Sequence, residues 1–408
     1  MTSISLKKLF TAVFLSAGFC LSACGGVEDP EATTAGAVGT LSPETTATSS
    51  GDETSGEATE QYTTNEPVYA ATWSLAEKVN VPDGGGYELP APAEEYAEAE
   101  VYYNYLTGLE TGEKETLGIR RPTAVCMYND YESSRFQCGT EDADVIFEIQ
   151  MDYSSTALMA LYYNPSSIAK IGCVRSAAPA MAEIAAGFDA YLMHCGTLSG
   201  TDDLIASLDI DHIDARNESG TDCFYNDTAI GNASSYAYSY FTTSGRIAKS
   251  LLQLSEGGAH FIAPESFRSP FSFADEKYVP DGNFANRIRV FFGGFQPYFL
   301  YNNKTGLYER YQHGAPHRDT STGNPLAFQN VIFIYTDTSF KNGYMNHSIT
   351  GSGSGIYASG GRYIKIIWSK DSEDAPFIFT DSTGKPILLN RGKTFVSVVS
   401  KSNSVSIY

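Results

Sequence analysis

"AKIGCVRSAAPAMAEIAAGFDAYLMHCGT", residues 169–197, contains the unit that decides the fold. The apolar runs "IGCV" and "DAYLMHC" are typical of buried strands. The alanine-rich stretch between them predicts a helix with Ser176 as its N-cap and Pro179 in its first turn. Arg175 and Ser176 follow the first run, and His194 lies near the end of the second. Such a strand, helix and strand predict an α/β region with polar groups at its strand ends.

The flanking sequence extends this unit into an α/β domain that spans residues 118–260. Three runs before it, "TAVCMYN", "ADVIFEI" and "TALMALYY", and one after it, "LDIDHID", predict further strands. "SGTDDLIASL" predicts a helix with Ser199 and Asp202 at capping-box spacing. "SGRIAKSLLQLSEGG" predicts another helix, which ends at a pair of glycines.

Beyond an inter-domain connection at residues 261–282, residues 283–408 predict a β-rich second domain. Its strand-like runs are separated by turn signals such as "STGK" and "NRGK", and they are "RIRVFF", "PYFLYN", "GLYERYQ", "NVIFIYT", "RYIKIIWS", "PFIFTD" and "FVSVVS". We attribute most of the 27 tyrosines and 23 phenylalanines to the filling of strands, although aromatic side chains also bind sugars. "GSGSG", residues 351–355, has no P-loop lysine and predicts a flexible loop.

The N-terminus has the features of a bacterial lipoprotein signal. Lys7 and Lys8 precede a short apolar run that ends in "LSAC", and Gly25 follows. This pattern predicts a signal peptide at residues 1–23 and acyl chains on Cys24, and the alternative is an ordinary signal peptide cut nearby. Several acyl chains anchor a protein stably. We therefore expect the protein to face the extracytoplasmic side of the cell membrane.

The next segments of the chain are acidic. Residues 24–66 are rich in Thr, Ser and Glu with almost no aromatic residues, which predicts a disordered linker. Residues 67–117 predict a partly ordered lead-in to the first domain. Of the net charge of −21, most comes from residues 25–100, which hold 16 acidic residues and one lysine. A basic surface that would suit nucleic acid is therefore not expected.

Five cysteines remain after the predicted lipidation site, and an odd count outside the cytosol permits at most two disulfides. Their pairing cannot be deduced from the sequence, and they are Cys126, Cys138, Cys173, Cys195 and Cys223. The alternative is that they are small buried residues, which fits the strand positions of Cys126, Cys173 and Cys195.

Arg175 and His194 together predict a ligand site at one edge of the sheet. If the strands that precede them are parallel neighbours, their ends share the edge at which open α/β sheets bind ligands. Arg175 and the N–H groups after Ser176 would favour an anion there. In the alternative interpretation, Arg175 pairs internally with Glu148 or Asp189, and His194 is a hydrogen-bonded core residue.

Several stretches taken together resemble one family. "RPTAVCMYND", "ADVIFE", "IGCVRSAAP", "FDAYLMHCG" and "GAPHRDTSTGNPLAFQNVIF" are similar to the YerB-like lipoproteins, a family with a domain of unknown function, over residues 118–400. The resemblance implies an α/β N-terminal domain, a β-rich C-terminal domain and a lipid anchor, but no reaction. The matching positions include our candidate ligand-binding residues, which are Asn129, Glu148, Arg175, Ser176, His194, His317 and Asp319.

The chain also departs from that family at four positions. Where the family pattern has an aspartate, two arginines and a histidine, this chain has Tyr128, Ala157, Ala178 and Ser239, respectively. The loss of two arginines and a histidine weakens any anion site that the family shares. If the family is enzymatic, the resemblance therefore implies a member that is altered in specificity or inactive.

The motif "HGAPHRD" places His313, His317 and Asp319 close together, as in some zinc sites. Gly314 and Pro316 prevent the helical register that would put both histidines on one face. We therefore expect a loop that hydrogen-bonds a neighbouring domain or a ligand, and no metal site.

Catalytic arrangements are also not favoured. Cys195 and His194 are adjacent on a strand, so their side chains point to opposite faces and cannot form a nucleophile and base pair. Glu148 and Asp152, if on one strand, would lie about 13 Å apart, farther than the carboxylate pair of a glycosidase.

We therefore expect a membrane-anchored, non-catalytic binding or accessory protein of the bacterial cell envelope, without a cofactor. Its expected partners are the membrane, through Cys24, and a cell-wall glycan, a peptide or an envelope protein. The alternative function is a cell-envelope hydrolase that acts on a glycan or a peptide and uses Glu148, His194 or His317.

Overall fold

The structure is a computed structural model that describes residues 102–111, 119–217, 220–256, 258–264 and 266–408. The predicted signal peptide, Cys24, the linker at 24–66 and the lead-in at 67–117, except for residues 102–111, lie outside the described residues. None of the described helices is both long and apolar enough to span a bilayer. All described residues belong to one structural unit, which spans residues 62–408.

The first half of the described chain contains ten strands and five α-helices. The strands are β1 (Tyr102–Asn104), β2 (Leu109–Thr111), β3 (Thr123–Asn129), β4 (Val145–Gln150), β5 (Thr156–Tyr162), β6 (Ile171–Gly172), β7 (Tyr191–His194), β8 (His212–Asp214), β9 (Phe224–Asn226) and β10 (Tyr240–Thr242). The helices are α1 (Pro179–Gly187), α2 (Thr201–Ser207), α3 (Gly220–Cys223), α4 (Thr228–Ala233) and α5 (Ser244–Glu256).

In the second half, strands are the only regular secondary structure among the described residues. They are β11 (Ser272–Phe273), β12 (Asn283–Phe284), β13 (Arg287–Phe291), β14 (Tyr298–Asn302), β15 (Leu307–Gln312), β16 (Ala315–Pro316), β17 (Ala327–Phe328), β18 (Asn330–Lys341), β19 (Tyr344–Ser348), β20 (Gly351–Ser359), β21 (Arg362–Lys370), β22 (Ile378–Thr380), β23 (Leu388–Leu389), β24 (Thr394–Ser400) and β25 (Ser404–Ile407). The described protein is thus mostly β-sheet with few helices, and the predicted β-rich region carries no helix among them.

A twelve-stranded sheet joins the two predicted domains. Its order is β12-β21-β20-β18-β24-β4-β5-β3-β7-β8, with β19 and β22 attached to β18 and β21. At its centre β24 runs parallel to β4, and Thr394 lies opposite Val145. Strands from before residue 260 and strands from after residue 282 therefore form one continuous hydrogen-bonded ladder.

Each face of this sheet is covered by a different layer. On one face α1 and α2 pack over a core that includes Phe147, Phe188 and Trp368. On the other face a second sheet, of order β16-β15-β14-β13-β25, packs over a core that includes Phe299 and Phe395. Both of these large cores contain residues from both predicted domains, so the two domains share them.

The central strand, helix and strand unit differs from the prediction in two respects. Helix α1 begins at Pro179, and Ala178, not Ser176, is its N-cap. The restricted φ of proline suits the first helical position, which explains the later start. Strand β6 pairs antiparallel with β10 in a separate three-stranded sheet, so it is not the parallel neighbour of β7.

Two further local predictions are wrong. Helix α2 has Gly200 at its N-cap with no side-chain cap, so the predicted capping box is not formed. The "GSGSG" stretch is not a loop but the first half of strand β20. A Cβ on Gly353 would lie 2.6 Å from Nε1 of Trp368, so glycine there permits the close approach of the indole ring.

Candidate functional site

A fully buried ion pair lies between the large sheet and the second sheet. Glu148 on β4 accepts a hydrogen bond from Nη2 of Arg310 on β15, and both side chains have no solvent-exposed surface. Hydroxyl groups of Thr156 and Ser397 donate to the two oxygens of the same carboxylate at 2.9 and 3.3 Å. The carboxylate is therefore compensated within the protein, as a buried charge requires.

The pair continues into a directional chain of hydrogen bonds. Nη1 of Arg310 donates to Nδ1 of His317 at 2.9 Å, which leaves the proton of the neutral imidazole on Nε2. Nε2 donates to Gln137, whose amide donates to Asn129 at 3.0 Å, and Asn129 donates to Glu148 at 3.3 Å. Burial and the charge of Arg310 hold the pKa of His317 well below its usual value. We call Glu148, Arg310, His317, Gln137 and Asn129 the Arg310 network.

Asp319 fixes a neighbouring loop rather than a ligand. Its Oδ2 accepts hydrogen bonds from the hydroxyl of Thr140 at 3.2 Å and the backbone N–H of Glu141 at 3.1 Å. Its Oδ1 accepts from the N–H of Ser321 at 2.8 Å. This agrees with the expectation that the "HGAPHRD" loop hydrogen-bonds the other predicted domain.

His194 is an internal residue. The carbonyl oxygen of Gly196 can only accept, so Nδ1 of His194 carries the proton and donates to it at 2.8 Å. Nε2 then accepts a hydrogen bond from Nδ1 of His212 at 2.9 Å. Burial lowers the pKa of His194, and its side chain has no exposed surface. His194 is therefore a satisfied core histidine, as in the alternative interpretation.

Arg175 is nearly buried but has no carboxylate partner among the described residues. It is 8% exposed, its Nε donates to the carbonyl oxygen of Ser176 at 3.0 Å, and its terminal nitrogens make no hydrogen bond there. Burial lowers its pKa, and Asp130 and Asp152 act on it from outside ion-pair distance. The alternative interpretation, in which Arg175 pairs with Glu148 or Asp189, is wrong, because Glu148 is bound to Arg310 and Asp189 to Arg121.

The backbone beside Arg175 is engaged. The hydroxyl of Ser176 donates to the carbonyl oxygen of Cys195 at 2.9 Å, and the N–H of Ala177 donates to Gly196 at 2.9 Å. Since α1 begins at Pro179, its free N–H groups do not follow Ser176 as predicted. The segments after β6 and β7 nevertheless run side by side, because the N–H of Cys195 donates to the carbonyl oxygen of Arg175 at 2.8 Å.

Four tyrosines lie near Arg175 as two ring pairs, one of them in contact with the guanidinium and the other on the segment that pairs with Val174, and none is among the candidate residues predicted from the sequence. The guanidinium lies 5.3 Å from the ring centre of Tyr128, and Tyr238 meets that ring edge-on at 5.1 Å. Tyr236 and Tyr240 form a second edge-to-face pair at 5.5 Å. We call these four residues the tyrosine cluster. The sequence feature that could have indicated this cluster is the run "SYAYSY" at residues 235–240, which lies mostly outside the strands.

The candidate ligand-binding residues predicted from the sequence thus do not form a single site. Tyr128 and Asn129 are adjacent on β3, so their side chains leave the sheet on opposite faces. The Arg310 network, which holds Asn129, Glu148 and His317, lies on one face, and Arg175 lies on the other. Two of the four departures from the family pattern, Tyr128 and Ala157, face each other across β3 and β5.

Thiol and metal chemistry find no support among the described residues. Cys126, Cys138, Cys173, Cys195 and Cys223 are all free thiols, and all but the half-buried Cys195 are buried. Burial raises the pKa of Cys195 to about 11, so its thiolate is scarce at neutral pH. The described part of the chain holds no group of three or more His, Cys, Asp or Glu side chains suited to a metal ion.

Comparisons with known proteins match both halves of the chain. Residues 106–255 match the N-terminal domain of a protein of unknown function (DUF3048), and residues 288–396 match its C-terminal domain. "Putative lipoprotein YerB" from Bacillus subtilis (strain 168) is 25% identical over 309 residues, which are 74% of this chain and 87% of that protein.

A solved structure shares the fold. The crystal structure of YerB protein from Bacillus subtilis aligns with a TM-score of 0.63 at 23% sequence identity. The alignment covers 75% of this chain and 99% of that one. The similarity therefore extends over nearly the whole of that solved chain.

Proposed function

Because the chain belongs to the YerB-like DUF3048 family, we propose that it is an extracytoplasmic lipoprotein that binds a ligand at the cell envelope without catalysis. In this proposal Cys24 carries the acyl chains, and the acidic segment that follows separates the folded part from the membrane. The ligand is anionic and binds at Arg175. The name of the relative from Bacillus subtilis supports the lipoprotein part of this proposal.

The observation that carries the binding role is the nearly buried guanidinium of Arg175, whose terminal nitrogens have no hydrogen-bond partner among the described residues. An arginine that is 92% removed from water normally has a carboxylate or several acceptors as partners. Arg121 shows this arrangement, since it is equally buried and contacts Asp189 at 3.2 Å and Asp211 at 2.5 Å. Arg175 has no such partner among the described residues, and an external anion would supply one.

The alternative role as a hydrolase has less support, because its candidate groups are engaged internally. Glu148 is held by Arg310, Thr156 and Ser397, and it has no exposed surface. His317 and His194 are neutral and hydrogen-bonded through both ring nitrogens. A general acid or base must reach a substrate proton, and none of these three side chains reaches the surface.

Replacing Arg175 by alanine is expected to weaken the binding of acidic ligands about tenfold or more, because one charge-assisted hydrogen bond contributes about 1.5 to 3 kcal/mol. The melting temperature should change little, since no carboxylate loses a partner. Binding of soluble acidic glycan fragments of cell walls and of acidic peptides to the purified full-length protein would measure the first effect. Thermal unfolding would measure the second.

Arg121→Ala is the matched control for this experiment. It removes an equally buried guanidinium but leaves Asp189 and Asp211 without their partner. We expect a loss of about 2 to 3 kcal/mol of stability, below the range for a fully buried pair because both carboxylates are partly exposed. If Arg175→Ala destabilises the protein as much as Arg121→Ala, Arg175 is a structural residue and the proposed binding site is wrong.

The anchor is tested separately through Cys24. In a bacterial host, Cys24→Ala is expected to release the protein from the membrane fraction or to leave an unprocessed precursor, because no acyl chain can then be attached. Cys20→Ala, which lies within the apolar run of the signal, should leave anchoring unchanged. Fractionation followed by mass spectrometry of the N-terminus measures both. Fully processed Cys24→Ala protein in the membrane would contradict the lipoprotein assignment.

A further inference from the structure

The tyrosine-rich segment at residues 235–240 is fixed beside Arg175 by backbone pairing. The carbonyl oxygen of Tyr240 accepts a hydrogen bond from the N–H of Val174 at 2.8 Å. Phe241, the next residue, lies opposite Gly172 in the ladder between β6 and β10. The backbone of Tyr240, at the end of this segment, is therefore held beside Arg175 by a hydrogen-bonded sheet.

The rings of the tyrosine cluster are held in defined orientations. Tyr128 and Tyr238 meet at an interplanar angle of 85°, and Tyr236 and Tyr240 at 87°. The hydroxyl groups of Tyr236 and Tyr240 are joined by a hydrogen bond of 3.1 Å. Edge-to-face pairs are the favoured arrangement of aromatic rings, and tyrosine has few torsions to lose on binding. The cluster is therefore organised before a ligand arrives.

The core does not account for the exposed surface of this cluster. Tyr236 is 63% exposed, whereas Tyr128, Tyr238 and Tyr240 are half-buried. Each ring offers an apolar face and a hydroxyl that can donate or accept a hydrogen bond. Arg175 thus offers a guanidinium beside the rings of Tyr128 and Tyr238, and the adjoining segment offers the exposed ring and hydroxyl of Tyr236.

We infer that the Arg175 site binds a saccharide that carries a carboxylate, with the sugar ring on the tyrosine cluster and the carboxylate on the guanidinium. This inference rests on the proposed function and names its ligand class. The C–H face of a pyranose is apolar and its rim carries hydroxyls, which complements exposed tyrosine rings. A simple anion would leave the rings unused, and an apolar ligand would leave Arg175 uncompensated.

The fork of donors on Arg175 suits a carboxylate. Its Nε is used by the carbonyl oxygen of Ser176, and its two terminal nitrogens have no hydrogen-bond partner among the described residues. A planar guanidinium can bind both oxygens of a carboxylate through parallel hydrogen bonds.

The test uses the purified full-length protein and calorimetry with two matched probes. The first is the disaccharide of N-acetylglucosamine and N-acetylmuramic acid, and the second is the same disaccharide with its carboxyl group reduced to an alcohol. Reduction is expected to weaken binding about tenfold or more, the effect of one charge-assisted hydrogen bond. Tyr236→Ala should weaken both probes by a similar factor. Tyr408 is 68% exposed and lies outside the tyrosine cluster, so Tyr408→Ala should leave the binding of both probes unchanged.

The possible failures are distinguishable. If Tyr236→Ala binds the acidic disaccharide as the unchanged protein does, or if an acidic peptide of equal charge binds more tightly, the ligand is not a saccharide. The proposed function then stands as long as Arg175→Ala abolishes the peptide binding. Failure of the acidic disaccharide to bind at millimolar concentration also overturns the inference. If Arg175→Ala leaves the binding of every acidic probe unchanged, the proposed function fails as well.

Discussion

Replacing Arg310 by methionine is expected to lower the free energy of unfolding by about 3 to 5 kcal/mol. The change removes the cation that compensates Glu148, and this carboxylate has no exposed surface through which water could replace it. His317 also loses the donor at its Nδ1. Methionine retains much of the packing volume against Phe395, so the loss reports mainly the stranded charge.

A double variant separates the charge from the packing. In Arg310→Met with Glu148→Leu both charges are absent, and apolar replacement of a buried pair is often nearly neutral. We expect it to recover a large part of the stability that the single variant loses. Arg318→Met, at an exposed position after β16, is the control and should cost no more than about 0.5 kcal/mol.

Chemical denaturation of the single, double and control variants, analysed as a double-mutant cycle, measures these effects. A loss below about 1 kcal/mol for Arg310→Met would show that the carboxylate is protonated or reached by water. In that case the Arg310 network would not stabilise the contact between the two sheets.

The elements that depend on local sequence were predictable. The runs "TAVCMYN" and "TALMALYY" are strands β3 and β5, because apolar and β-branched residues of this length fill a sheet that is covered on both faces. The helix at "SGRIAKSLLQLSEGG" is also confirmed as α5. The exact start of α1 was not predictable, because Ser176 and Pro179 are both acceptable at a helix N-terminus and tertiary contacts decide between them.

The pairing of distant side chains could not be predicted. Nothing in the sequence indicates that Asp189 pairs with Arg121 and not with Arg175, or that Glu148 pairs with Arg310. The choice among the arginines of the chain depends on the tertiary fold. The tyrosine cluster was missed for a different reason. A high tyrosine content is typical of strands, whereas Tyr236 and Tyr238 lie in a short 3-10 turn between α4 and β10.

The sequence does not predict that the two regions share one sheet. The sheet depends on the pairing of β24 with β4, and these strands are far apart along the described chain. It leads to a prediction about folding. Residues 102–276 alone are expected to remain unfolded or to aggregate, and the same is expected of residues 277–408. All six residues of β4 are buried, so removing β24 turns a central strand into an exposed apolar edge.

The nicked and the separated fragments can be compared by cleaving the chain between Glu276 and Lys277, which are adjacent and exposed. A protease site inserted between them should allow the folded protein to be nicked while the two fragments stay together and unfold in one transition. After denaturation and separation, each fragment alone should lack a dispersed NMR spectrum, and mixing them should restore it.

The outcome decides whether the two matched regions are folding units or only sequence units. Each fragment would lose at least a third of each of the two large hydrophobic cores, and the buried charges of Glu148 and Arg310 would lie in different molecules. Such losses far exceed the marginal stability of a domain of this size. A cooperative melt of residues 102–276 alone would therefore mean that the edge of β4 and the carboxylate of Glu148 find other partners within that fragment, and the interlocked architecture would not be required for folding.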